Sequence, residues 1–299
     1  MRGYSTSKQW RLAAVTVACV LAVLCVPRSV RGQVQLTDQN STLNIVTNSS
    51  AGMNSWTIDG NNVLDQQWFW YRVGNVGGQS SLDTLPSTIT VLDPSDLKAS
   101  YTGATFVVTL TLGLNGSASG SGNSDLSIGI KIQNTSGNAL NLHLFEYSNF
   151  TLGGIPGDTV TFTNANTVVQ TGALGTLQEA VATGLSGFLA PMRHEANPVP
   201  VTLNELTGAS PLTLDGTGSA GPGDVSWAFQ WDANLNGGAS SQISKDINVQ
   251  VPEPSTRGLV TLAVAIVGSI LLGRCVIPRR STHIASAGDE PCARKNQQV

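Results

Sequence analysis

The chain has 299 residues, a formal net charge of −3 and only 12% charged residues. Between Gln33 and Gln250, however, sixteen acids stand against five bases, a net charge of −11, which speaks against nucleic acid as a partner because that affinity comes from Lys and Arg neutralising phosphates. All four cysteines (Cys19, Cys25, Cys275 and Cys292) lie outside that stretch, so no disulfide framework or thiolate metal site can form within it. Its roughly 218 residues are enough to bury a sizeable core without staples.

In chain order, Met1 to Arg11 carry Arg2, Lys8 and Arg11, and Leu12 to Val26 form an apolar run too short for a comfortable membrane span. This reads as a signal peptide over residues 1–32, with a signal peptidase cutting after Gly32. Leu24 before Cys25 argues against a lipidated cysteine, which normally follows a small residue.

Strict apolar alternation then marks strands with one buried side: Phe106, Val108, Leu110 and Leu112; Leu126, Ile128, Ile130 and Ile132; Val225, Trp227, Phe229 and Trp231. Further strands are expected at Leu43–Thr47, Ser55–Asp59, Gln67–Val73, Ser87–Leu92, Ala139–Tyr147, Thr159–Phe162, Val199–Leu203 and Gln242–Val249. Thr176–Thr183 reads as the one helix. Connections rich in Gly, Asn, Ser and Asp supply the turns. The expected fold of residues 33–250 is all-β, an antiparallel β-sandwich or jelly-roll-like ectodomain. Asn115–Asn123 (NGSASGSGN) lacks the following helix of a phosphate loop and reads as a flexible hairpin loop. Ala190–Pro200, with three prolines, is the best candidate linker.

Few side chains here suggest chemistry. Only two histidines fall in the ectodomain, His143 in register with Phe145 and Tyr147 on a strand and His194 beside Glu195 in a Pro-flanked loop, and no Gly-x-Ser-x-Gly elbow occurs. A paired-carboxylate glycosidase needs only two acids about 5–10 Å apart, for which Glu146, Glu179 and Glu195 are the candidates. Asp232, Asn234, Asn236 and Gly237 match the first half of a calcium loop, but Ile243 stands where a bidentate Glu should close it, so a hairpin turn is the better reading. Trp68 and Trp70, which alternation places on one face with Phe69 and Tyr71 on the other, read first as core packing, with glycan contact through their rings as the alternative.

After a linker over 251–257, a second apolar segment over 258–278 approaches the length of a transmembrane helix, and Arg279 and Arg280 open a basic tail over 279–299. The positive-inside rule puts that tail in the cytoplasm and residues 33–250 outside, with membrane lipid around the span. Pro252, Glu253 and Pro254 form a stiff, extended segment suited to protease presentation. The order Pro-Glu-Pro, apolar helix, Arg cluster resembles the sorting signal of PEP-CTERM proteins over about the last 50 residues, and the resemblance implies processing by an exosortase-type sorting protease. The nineteen residues from Ser281 to Val299 exceed the usual ending of such signals. Asp65–Gly74, and Trp227–Trp231 with Ile243–Asp246, are similar to segments of uncharacterised PEP-CTERM proteins, a group that brings no activity with it.

These readings lead to an exported, membrane-handled envelope or matrix protein, non-enzymatic, without cofactor and associated with exopolysaccharide. The alternatives are a secreted glycan-active enzyme using paired carboxylates, or a carbohydrate-binding module using Trp68 or Trp70.

Overall fold

In the computed structural model, residues 32–154, 157–183 and 193–252 are described. β1 (Gln33–Asp38), β2 (Ser41–Val46) and β3 (Gly52–Ile58) run as a meander, and β4 (Asn61–Asn62), β5 (Leu64–Val73) and β6 (Ser80–Ser81) extend the same sheet. β7 (Ser87–Val91), β8 (Asp96–Thr102), β9 (Phe106–Gly116) and β10 (Asn123–Asn134) follow as hairpin-linked strands of a second sheet. β11 (Leu140–Phe150) returns to the first, whereas β12 (Asp158–Asn164), β13 (Thr167–Gly172) and β14 (Gly175–Thr183) belong to the second. The chain then alternates: β15 (Arg193–Pro198) in the first sheet, a one-turn helix α1 (Val201–Leu206), β16 (Ser219–Gly223) in the second, β17 (Val225–Leu235) in the first and β18 (Ser240–Gln250) in the second.

The order β1-β2-β3-β5-β11-β17-β15 in the first sheet and β16-β12-β13-β14-β18-β10-β9-β8-β7 in the second leaves one short parallel contact, between β3 and β5; the other pairings are antiparallel. The all-β sandwich expected from the sequence is therefore present. The alternating residues explain it: Phe106 to Leu114, Leu126 to Ile132 and Ile243 to Val249 turn every second side chain inward. They meet Leu142, Leu144, Trp227, Phe229 and Trp231 in one core. The Asn115–Asn123 segment does join β9 to β10. It is also tied down, because the Gly120 and Gly122 amides donate to Asp59 Oδ1 and Oδ2 at 2.7 and 2.9 Å, bonds that hold the Asp59 carboxyl below its usual range.

Three local expectations fail. Thr176–Thr183 is strand β14, because its inward residues Leu177, Glu179 and Val181 follow a period of two that outweighs weak helix propensity. Val199–Leu203 lies at the start of α1, where Thr202 and Leu206 are buried at helical spacing. Ala190–Pro200 contains β15, paired along β17, so it is no linker. Among the described residues no helix is long and apolar enough to cross a membrane. The expected signal peptide and transmembrane segment, Glu253, Pro254, Arg279 and Arg280 lie outside the described residues; Pro252 is an exposed residue just past β18.

Candidate functional site: a His–Asp pair in a polar row

Strand alternation gives the first sheet a second face, turned away from the core. On β11 the even-numbered residues point inward with Glu146, so Asn141, His143, Phe145, Tyr147 and Asn149 line the outer face. Register then sets Arg72 of β5, His143 of β11 and Asp232 of β17 directly side by side. Arg193 of β15 sits opposite Gln230, one step along the same face.

His143 Nδ1 lies 2.5 Å from Asp232 Oδ1, and its Nε2 lies 3.3 Å from Asn75 Oδ1. Gln230 Nε2 donates to the same Asp232 oxygen at 2.7 Å, and Arg193 Nε stands 3.7 Å from Oδ2. Burial works to raise the Asp232 pKa, but the hydrogen bonds from His143 and Gln230 and the charge of Arg193 outweigh it and hold the carboxyl below its usual range. Asp232 is thus ionised at neutral pH and orients the imidazole through Nδ1, while Nε2 faces the Asn75 amide oxygen, a contact that a ligand exchanging a proton there would displace. Arg72 donates through Nη1 to Gln79 Oε1 and Leu212 O at 2.9 and 2.7 Å and lies over the Phe145 ring, which fixes its guanidinium beside the histidine. The His143 and Asp232 side chains keep only 11% and 16% of their surface exposed, so the pair is lodged in the fold with a small part of each side chain reaching solvent.

The residues proposed from sequence fare differently. Trp68 and Trp70 are 1% and 2% exposed. Trp68 packs edge-on against Tyr101 and donates to Asp83, and Trp70 packs edge-on against Tyr147. Rings enclosed in protein cannot stack on a sugar, which rules out the alternative of glycan contact and agrees with core packing. Glu146 and Glu179 lie inside the sandwich around Lys245, all three side chains without solvent exposure, and cannot meet a substrate. Glu195 is also buried, accepting from Thr202 Oγ1 at 2.6 Å. His194 is on strand β15, not in a loop, and its ring stacks on Phe162 with centroids 4.1 Å apart. Asp232, considered above as half of a calcium loop, serves the histidine instead, and the hairpin from β17 to β18 turns beyond it.

Sequence reasoning placed His143 on its strand and singled out Asp232 but did not join them. They are 89 positions apart, and only the β11–β17 pairing brings them together.

The second sheet also has an outer face. A shallow groove of about 440 Å³ crosses it, lined by Asp96 and Lys98 of β8, Thr109 and Thr111 of β9, Lys131 of β10 and Gln242 of β18. Next to it, burial and then the neighbouring Asp246 push the Asp125 carboxyl up to about 6. Among the described residues no cluster of His, Cys, Asp and Glu is arranged to hold a metal ion.

No family model matches the chain, and no curated protein matches it. Solved structures of similar fold include a bacterial glucoamylase complexed with acarbose (10% identity, TM-score 0.47), of which this chain spans about a third, with 75% of this chain and 32% of that one covered. They include a galactose mutarotase-like protein from Lactobacillus casei (7% identity, TM-score 0.46, 73% and 100% covered) and a putative aldose 1-epimerase from Escherichia coli (9%, 0.40, 73% and 99%). The names of these neighbours are those of carbohydrate-active proteins, and the expectation of a non-enzymatic protein is withdrawn on that comparison. Likeness at these scores assigns no residue, substrate or reaction to this chain.

Proposed function

We propose that the domain is glycan-active and that His143 moves a proton at a sugar hydroxyl, with Asp232 holding the imidazole and Arg72 and Arg193 flanking it. The close His143–Asp232 pair, still partly exposed, carries this reading. Carbohydrate suits the surroundings: Asn75, Gln79, Asn141 and Gln230 set amide donors and acceptors around the pair, and such groups match a ring of hydroxyls. Proton transfer is favoured over a two-carboxylate glycosidase because Glu146, Glu179 and Glu195 are buried. The test is turnover by the full chain, with anomer exchange followed by polarimetry and glycoside cleavage by product analysis over a panel of sugars. His143→Gln should lower the rate about 10²- to 10⁴-fold, and Asp232→Asn should also lower it. A folded wild-type chain inert on every sugar sinks the proposal.

A second reading, glycan binding in the groove of the other sheet, has its own observation. Lys98 and Lys131 are two of the five bases in a strongly acidic stretch. Both line the groove, and neither makes an ion pair among the described residues. An anionic polysaccharide would supply their partner. Titration with polyuronate and with a neutral glucan separates the two: binding to both alike counts against the role of the lysines.

The basic and apolar N-terminal segment, the Pro252-Glu253-Pro254 motif and the Arg279–Arg280 pair support export of the domain, exosortase-type sorting and work on an exopolysaccharide outside the cytoplasm.

A further inference from the structure

The buried cluster of Lys245, Glu146 and Glu179 has no part in the chemistry proposed above, and it differs from an ordinary ion pair. β11 brings Glu146 from one sheet, while β18 and β14 bring Lys245 and Glu179 from the other. Lys245 Nζ contacts Glu146 Oε1 and stands 2.9 Å from Glu179 Oε1. Gln67 Nε2 and Ser148 Oγ donate to the same Glu146 oxygen at 2.6 and 3.3 Å, whereas Glu146 Oε2 has no hydrogen-bond partner and Glu179 Oε1 meets the ammonium as an ion pair without hydrogen-bond geometry. Trp227 Nε1 fixes Glu179 Oε2 at 3.0 Å, and the Phe69 ring lies 5.7 Å from the ammonium.

Two carboxylates and one ammonium would leave a surplus negative charge in the core, which is costly. Burial first and Glu179 second push the Glu146 pKa up to about 8, against the opposing effect of Lys245. Glu146 is therefore an uncharged acid at neutral pH, with an electrophilic carbonyl carbon beside an amine.

We propose that Lys245 and Glu146 condense into an intramolecular amide joining the two sheets, with Glu179 as the proton carrier. Glu179 takes one proton from the Lys245 ammonium, and the freed amine attacks Glu146 Cδ. The N–C bond forms as the bond from Cδ to the Oε2 hydroxyl breaks, and that hydroxyl leaves with a second amine proton as water. The third proton stays on the amide. The cluster is neutral before and after, and no oxidant or co-reactant is needed. In water, ionisation of both groups opposes amide formation; here burial penalises the Glu146 carboxylate, and although its acidic neighbours hold the Lys245 ammonium charged against burial, they also place a proton acceptor beside it and keep the reacting groups in contact. Gln67 and Ser148 point donors at the oxygen on which negative charge develops.

Peptide mapping of the full chain tests this. The expected product is one branched peptide containing both Lys245 and Glu146, lighter than its two parts by one water. Linear peptides with a free Lys245 amine and a free Glu146 carboxyl overturn the proposal. Glu179→Gln, checked for folding by circular dichroism, should slow linkage about 10²- to 10⁴-fold. Linkage as complete and as fast as in the wild type would remove Glu179 from the mechanism. If that variant does not fold, the wild-type map still decides whether the bond exists.

Discussion

His143 and Glu146 stand three residues apart on the same strand and belong to opposite worlds. An odd step turns one to the outer face and the other into the sandwich. Outside, hydrogen bonds and a nearby guanidinium keep the acid partner of the histidine, Asp232, ionised. Inside, desolvation keeps Glu146 protonated. An acid beside a base means different chemistry on the two sides of a single sheet: reversible exchange with a visiting ligand on one, and a closed, permanent arrangement on the other.

The sharpest way to break this contrast is to empty the inner cluster. Lys245→Ala removes the ammonium and the proposed link together and should cost at least about 3–5 kcal/mol, read from denaturant unfolding. Replacing Lys245 by Met together with Gln at both glutamates should recover the part of that loss that comes from buried charge, but not the part that comes from the link. Trp70→Ala comes next, at about 3–5 kcal/mol for a buried indole; a loss below about 1 kcal/mol in chemical unfolding would show that this ring is not core. On the outer face the loss is smaller: His143→Gln breaks a largely buried hydrogen bond to Asp232 and should cost about 1–3 kcal/mol, while removing the turnover described above.

The smallest effect should come from Asp125 on the outer face of the second sheet. Its folded pKa of about 6 lies above the ordinary value of 3.8, so the fold binds its proton more tightly than the unfolded chain does. That contribution is fully present below about pH 4 and is lost as pH rises to about 6. Asp125→Asn should flatten this part of a pH–stability profile measured by thermal unfolding. An unchanged slope would show that the fold does not raise this carboxyl's pKa.

Much of the sandwich was legible because alternation is a local signal. Phe106 to Leu112, Leu126 to Ile132 and Val225 to Trp231 could each be assigned a buried side from a handful of residues, and the structure keeps every one of those faces. β14 was misread because Leu177, Glu179 and Val181 hide a charged residue among the inward positions; a buried Glu makes sense only with Lys245 known to lie across from it. The site was less legible still. Its parts come from β5, β11, β15 and β17, and the pairing order of a sheet is set by packing over the whole domain, not by spacing along the chain. The burial of Trp68 and Trp70 had the same origin: alternation divided the faces correctly but could not reveal that both would be covered.

The placement of β18 bears on how the domain would respond to force. The strand lies inside its sheet, paired over eleven residues with β10 and over eight with β14, and the chain continues from its end at Gln250. A pull on whatever follows Pro252 would load both ladders in shear along their length, instead of peeling one edge strand away bond by bond. With Lys245 bound to Glu146, the part of β18 before the link would be shielded from tension, which would pass across the core to β11. Single-molecule stretching from the C-terminal side, comparing the wild type with Glu179→Gln, would show this as a shorter released length in the linked chain.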